Sequence, residues 1–350
     1  MTENHEISPR PVINNNTDLV AGLPVVHIPE GEKKSRNVVT IVQTPEGFGY
    51  AKIGTPDQTA LFRNEAENHE AIQRVWPHGV KSVSQLARFT TDLLPDTLGG
   101  ITEFPVLVTK LESSMEDLHE TITSKGKMDI RSAIKRLYSV AIALDAFKAS
   151  KRVHRDIKPA NVFMDKGVGI LGDFEFGVPE GHSDPKGVLI GTPGYFSPEH
   201  RRGEPLTNGT NVWGFGATVY FALTRQHLMA PVTAKDEYAP LFSSEETYNK
   251  YIEQRIALLP PAVQGAFRKA VAFDPAKRYD SCTEFMLVLD QAERSSRNMN
   301  TVSTRETSAA VPERRTTKEQ VSRSVTGPGH RRPPHTPQHV KRPRRAKTQG

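Results

Sequence analysis

Apolar positions change their period along the chain. Between Val25 and Lys110 they cluster in short β-branched runs, Val38-Val39-Thr40-Ile41-Val42 and Gly49-Tyr50-Ala51-Lys52-Ile53. Between these runs lies Thr44-Pro45-Glu46-Gly47, whose proline and glycine suit a tight turn, so an antiparallel hairpin is predicted. Leu61, Phe62, Ala66, Ile72 and Trp76 then recur at helical spacing, predicting a helix over 59–75 that Pro77 closes. Further strands are expected over 82–89 and 105–110. Beyond Met115 the period becomes helical: Ile134, Leu137, Val140, Ala141, Leu144 and Phe147 line one face of a helix over 131–150. The patterns over 211–225, 245–259, 261–273 and 281–293 predict four more helices. Strands gathered early and helices late predict an α+β fold of two lobes, not an alternating parallel sheet.

The two ends have a different texture. Pro9, Pro11, the run Asn14-Asn15-Asn16 and few large apolar groups predict a flexible leader over 1–22. From Ser295 onward Ser, Thr, Pro, Arg and Lys dominate, a composition that cannot offset the entropy of ordering, so a disordered tail is expected over 294–350. The folded domain is therefore expected over 23–293, with a first lobe of about 23–112 and a second of about 113–293. Charge sharpens this division. The chain has a net charge of +6, but residues 301–350 hold 12 Lys and Arg against 3 Asp and Glu, leaving the first 300 residues with 34 against 37. The basic character belongs to the tail, where Lys341-Arg342-Pro343-Arg344-Arg345-Ala346-Lys347 is suited to an anionic partner: nucleic acid, a lipid surface or an acidic protein. The single cysteine, Cys282, excludes an intramolecular disulfide and points to a reducing compartment. Val212–Leu223, the longest uncharged apolar run, is well short of the roughly 20 residues of a membrane span, so a cytoplasmic protein with no transmembrane segment is expected.

Candidate chemistry concentrates in Val153-His154-Arg155-Asp156-Ile157-Lys158-Pro159-Ala160-Asn161. Asp156, Lys158 two residues on and Asn161 five residues on place a proton acceptor, a cation and a metal-binding amide oxygen in one short loop, as phosphoryl transfer requires. Asp173, in Leu171-Gly172-Asp173-Phe174-Glu175, follows a short apolar strand and is suited to holding Mg²⁺ against phosphate oxygens.

In these strings the chain resembles the eukaryotic-type Ser/Thr protein kinases over about 25–292, the HRDxKPxN string matching residue for residue. The resemblance implies a bilobal protein kinase-like fold and transfer of the γ-phosphate of ATP to Ser or Thr of a protein substrate. It implies Asp156 as the base that accepts or orients the substrate hydroxyl's proton, Lys158 at the γ-phosphate, and Asn161 with Asp173 on Mg²⁺. Gly191-Thr192-Pro193-Gly194-Tyr195-Phe196-Ser197-Pro198-Glu199 is similar to the end of a kinase activation segment, with Thr192 lining the hydroxyl site. Arg278, in Asp274-Pro275-Ala276-Lys277-Arg278, is then the expected buried partner of Glu199. Arg155 is a candidate for a phosphate on that segment, Ser183 and Thr192 being the available hydroxyls.

In the first lobe, Tyr50-Ala51-Lys52-Ile53 resembles the motif whose lysine reaches the α- and β-phosphates. Its helix partner is expected to be Glu65, which shares a face with Leu61, Phe62 and Ile72; Glu67 is the alternative. Leu107-Val108-Thr109-Lys110-Leu111-Glu112 resembles the hinge strand, with Thr109 as gatekeeper and backbone groups of Lys110 and Leu111 toward adenine. Three departures stand out. Only Gly31 fits the expected glycine-rich phosphate-covering hairpin, Glu175 replaces the glycine after Asp173-Phe174, and Asn211 replaces an aspartate that bonds the catalytic loop. Two alternative functions follow from them: a pseudokinase or scaffold that binds nucleotide or partners without turnover, and an adaptor acting through the basic tail.

Overall fold

A computed structural model describes residues 8–14, 18–27, 37–76, 84–110, 116–185, 188–229 and 242–309. Gly31 and Leu111 lie outside the described residues. The first lobe is a six-stranded antiparallel sheet with one helix against it. Its strands are β1 (Leu19–Val20), β2 (Leu23–His27), β3 (Val38–Thr44), β4 (Gly47–Ile53), β5 (Leu86–Pro95) and β6 (Ile101–Lys110), in the order β1-β2-β3-β4-β6-β5. Strands β3 and β4 form the predicted hairpin about Pro45-Glu46, closed by Gly47 at φ +133°, a conformation open to glycine. Alternation along β4 turns Ala51 and Ile53 into a cluster with Val25, Val42, Phe104, Val106 and Val108. It turns Lys52 to the opposite face, beside its register partner Leu107. Leu107 packs on Phe62 and Ala66 of helix α1 (Thr59–Val75), so β4 and α1 meet where Lys52 projects.

Two first-lobe expectations change. Strand β5 begins at Leu86 and runs to Pro95, later than 82–89, because its partner β6 starts at Ile101 and the two form a long hairpin around Asp96. Asp96 accepts from the amides of Leu98 and Gly100 and from the Thr102 hydroxyl, which holds that turn. The leader is tied down from Arg10 to Gly22 in its described parts. Val12 N donates to Pro95 O at 2.8 Å, Thr97 N donates to Arg10 O at 2.9 Å, and Val20 is fully buried beside Leu94. A few open backbone groups at the hairpin end and two small apolar side chains are enough to dock a segment that composition alone assigns to a flexible leader.

The second lobe is built around helix α3 (Ile130–Ala149) and helix α5 (Asn208–Thr224), with α2 (Leu118–Lys125) beside them. Asp117 and Asp129 cap α2 and α3 by accepting from Glu120 N and Ser132 N. Helix α5 is buried on nearly every side, from Val212 through Leu223, which accounts for its uninterrupted apolar run. Short antiparallel pairs carry the loops of chemical interest: β7 (Arg152–Val153) with β10 (Val178–Pro179), and β8 (Val162–Asp165) with β9 (Val168–Leu171). Helices α4 (Pro198–Arg202), α6 (Glu245–Ile256), α7 (Pro261–Ala270) and the part of α8 (Cys282–Ala309) up to Val302 complete the lobe. Helix α8 passes the expected end of the domain at 293. The segment from Ser295 to Ala309 contains no Gly or Pro, and the pairs Asp290–Arg294 and Glu293–Arg297 tie its approach at i,i+4 spacing, so nothing stops the helix there. Residues 310–350, with the basic run, lie outside the described residues.

Candidate functional site

The loop from β7 to β8 is held from beneath. Asn211 of α5 accepts from His154 N at 2.9 Å and donates to Arg152 O at 3.4 Å, so the amide uses both of its ends where an aspartate would only accept. The His154 ring packs tilted against Phe147 and edge-on to Phe174, and its Nε2 lies 3.3 Å from Gly172 O. Burial lowers its pKa, so it is a neutral, packed support for the loop. Above it, Lys158 Nζ donates to Asp156 Oδ2 and to Thr192 Oγ1, both at 2.7 Å. Asn161 Nδ2 donates to Asp156 O at 2.8 Å and Oδ2 at 3.1 Å. These bonds engage one carboxylate oxygen of Asp156. The other, Oδ1, is buried and has no hydrogen-bond partner among the described residues. A buried carboxylate oxygen left in this way is an open acceptor for a proton donor.

Asp173 follows β9 and brings the second group of charges together. Its backbone is in the left-handed region at φ +60°, as is Arg155 at +72°, conformations that cost a non-glycine residue about 1 to 3 kcal/mol. Lys52 Nζ donates to Glu65 Oε2 at 2.9 Å, Asp173 Oδ1 at 3.0 Å and Glu175 Oε2 at 2.7 Å. Glu65 is therefore the glutamate of α1 that meets Lys52; Glu67 is exposed on another face. Burial alone would lower the Lys52 pKa, but Asp173, Glu65 and Glu175 outweigh it and hold the ammonium charged. Burial pushes Glu65 up, to about 7, against the pull of Lys52. Partial burial pushes Asp173 up, yet Lys52 and Lys158 bring it below the ordinary carboxylate range. The carboxylates of Glu65, Asp173 and Glu175 lie within 4.8 Å of one another, a hard-oxygen donor set of the type Mg²⁺ takes.

Glu175 is outside the left-handed region, so a side chain in place of glycine carries no backbone strain there. Its neighbours are fixed by two amides that sequence reasoning passed over. Asn64 Nδ2 donates to Glu175 O at 2.8 Å and Gly177 O at 3.0 Å; Asn68 Nδ2 donates to Phe174 O at 2.9 Å and Gly177 O at 3.1 Å. Two asparagines one turn apart in a helix interior were the available signal, because Asn is a poor helix former unless its amide is used elsewhere.

The downstream segment is held by two buried ion pairs. Arg278 grips Glu199 with both terminal nitrogens at 2.7 Å, and Arg278 pulls the Glu199 pKa down although burial alone would raise it. Arg155, expected to await a phosphate, pairs instead with the buried Asp184 of the same segment, while Ser183 is exposed. A buried guanidinium requires a counter-charge, and the neighbouring carboxylate supplies it without modification. At the expected hinge, Lys110 N donates to Gln85 O at 2.8 Å and its ammonium lies 3.3 Å from Glu46, so its amide is already engaged. Thr109 pairs in register with Tyr50, on the Lys52 face of the sheet.

Residues 101–302 match the family model described as "Protein kinase domain". The chain is 26% identical over 189 residues to a protein named probable serine/threonine-protein kinase PknB of Corynebacterium glutamicum, covering 51% of this chain and 29% of that one. It is 28% identical over 222 residues to serine/threonine-protein kinase PknK of Mycobacterium tuberculosis, covering 63% and 19%. It thus spans less than a third of the length of these curated relatives. Among solved structures it is similar to the PknI kinase domain of M. tuberculosis, with a TM-score of 0.57 and 18% identity, over 80% of this chain and 99% of that one.

Proposed function

The chain belongs to the protein kinase domain family, and we propose that it is a protein-serine/threonine kinase that transfers the γ-phosphoryl group of ATP to a protein hydroxyl. The observation that carries this reading is Asp156 Oδ1, a buried carboxylate oxygen without a hydrogen-bond partner among the described residues, set beside Lys158 and Thr192. A Ser or Thr hydroxyl of the substrate donates to that oxygen, which orients the nucleophile and receives its proton as the new P–O bond forms and the bond to ADP breaks. Lys158, which bridges Asp156 and Thr192, steadies the γ-phosphate, and Lys52 holds the α- and β-phosphates. Asn161 keeps Asp156 in place through its amide nitrogen and has its oxygen left for a metal. Asp173 and Asn161 are the residues that would hold Mg²⁺, which supplies neutralisation of the phosphate charge. Glu199 and Arg278 support the segment that receives the substrate. The basic run at 341–347 is read as a contact for an anionic partner, to be checked by the salt dependence of binding.

The test is intact-mass spectrometry of phosphatase-treated protein incubated with Mg·ATP and a generic Ser/Thr substrate, beside Asp156→Asn. Phosphate gain that is lost in the variant supports the enzyme. Absence of gain in both, with a thermal shift on adding Mg·ATP, selects the module that binds without turnover.

A further inference from the structure

Lys52, on which the reading above places the nucleotide's α- and β-phosphates, is already fully engaged by the protein. An ammonium has three donors, and all three are used, by Glu65, Asp173 and Glu175. One ammonium thus faces three carboxyl groups, and nucleotide phosphates arriving there would compete with them for donors that are already taken. Something must leave Lys52 before phosphate oxygens take its donors.

The three occupants differ in how readily they can leave. Glu65 has a side chain only 3% exposed and is fixed by the burial of its face of α1. Asp173 sits in a left-handed backbone conformation held between β9 and the segment beyond it. Glu175 makes the shortest of the three contacts, at 2.7 Å; its side chain is 14% exposed, more than Glu65 though less than Asp173 at 30%, and its backbone, unlike that of Asp173, is outside the left-handed region. Its main chain is clamped by Asn64, and its neighbours' carbonyls by Asn68, so its carboxylate can rotate away while the backbone that carries Asp173 stays in place.

We propose that Glu175 is an intramolecular occupant of the phosphate site: its carboxylate takes the place of nucleotide phosphate on Lys52 and must be displaced for nucleotide to bind. Glu175 thereby sets nucleotide affinity, a role for the residue that stands where the resemblance predicts glycine. This inference rests on Lys52 being the phosphate-binding cation.

The experiment is titration calorimetry of the full chain with ADP, in EDTA and in Mg²⁺, for the wild type, Glu175→Gln, Glu175→Ala, Lys52→Met and the double variant Lys52→Met with Glu175→Gln. Circular dichroism checks that each variant is folded. Removing a contacting charge from a half-buried site is expected to tighten ADP binding in EDTA at least about tenfold in both Glu175 variants. With Lys52 replaced by Met, the gain from Glu175→Gln should shrink below about threefold, since no donor remains to be released. Unchanged affinity in both Glu175 variants, with Lys52→Met weakening ADP, overturns the occupant and leaves the phosphate-site reading intact. A gain of equal size without Lys52 also overturns it, since the effect is then general repulsion. Weaker binding of Glu175→Gln in Mg²⁺ with no change in EDTA overturns it in favour of a metal ligand. If Lys52→Met has no effect, or no form of the protein binds ADP, the phosphate-site reading and the occupant fall together.

Discussion

Replacing Arg278 by methionine tests how the segment that carries Glu199 is anchored. The Arg278 side chain is fully buried and Glu199 is 1% exposed. The guanidinium donates twice to Glu199 and also to Ala272 O at 2.8 Å, Gly209 O at 2.8 Å and Phe273 O at 3.1 Å. Methionine fills much of the same volume but leaves the Glu199 carboxylate buried without its guanidinium, the Thr210 hydroxyl still donating at 2.9 Å. Orphaning one partner of a buried pair costs about 3 to 5 kcal/mol. The protein can escape by protonating Glu199, which at pH 7 costs roughly 4 kcal/mol for a carboxyl of ordinary pKa, so the two routes give the same magnitude. The assay is urea unfolding followed by fluorescence of Trp213, which is buried in α5 and donates to the Tyr248 hydroxyl at 2.8 Å. Acid should reduce the difference. In the wild type the Glu199 pKa is depressed, so the stability it contributes is present above the ordinary carboxyl pKa and is lost as the pH falls through the folded value. In the variant burial favours the neutral acid, and the loss shrinks as the pH falls toward 5. Replacing Glu199 by leucine as well should recover most of the stability, because no buried charge then remains. A loss below about 1.5 kcal/mol, or a double variant as unstable as the single one, would refute the reasoning.

Two further outcomes follow from burial. His69 and His200 are pushed down by burial to about 3 and about 4, and Arg155 adds to the effect at His200, so the folded protein keeps both neutral. The unfolded chain takes up these protons below about pH 6.5, so stability present above that pH declines by about 3 to 4 kcal/mol between pH 7 and 5; urea midpoints that stay level over this range contradict it. The Cys282 thiol is fully buried and held well above its ordinary pKa by burial, so iodoacetamide at pH 8 should label it only after denaturant unfolds the protein. Labelling of native protein at the rate of a free thiol would disprove that.

How much of the site was legible depended on how far apart in sequence its parts lie. Asp156, Lys158 and Asn161 are close enough that a single loop presents them, and the hairpin of β3 and β4 places Lys52 by alternation alone. The face of Glu65 could be read from its apolar neighbours Phe62 and Ile72, because burial of one helix stripe also carries the polar group within it. The pairing of Arg155 with Asp184 was hidden: both are ordinary surface residue types in sequence, and only the closing of the segment over the loop buries them together. The amide clamps of Asn64 and Asn68 span more than 100 residues and carry no local pattern apart from an unusual helix composition. The backbone bonds of Arg10 and Val12 and the run of α8 past 293 are invisible to composition for a related reason, since composition measures average burial and misses a few well-placed bonds.

The sequence by itself determined the α+β order of elements, the loop that carries Asp156, Lys158 and Asn161, and the expectation of a phosphate-handling chemistry, because periodicity and short motifs are local properties of the chain. Only the tertiary structure decided which charges meet. Lys52 comes from a strand, Glu65 from a helix, and Asp173 and Glu175 from a loop more than 100 residues later. Their convergence depends on how the strand, the helix and the loop pack together, and with it the set of carboxylates that share Lys52. Ion pairing falls off steeply with distance and strengthens with burial, so it is set by three-dimensional neighbours and leaves no trace in spacing along the chain.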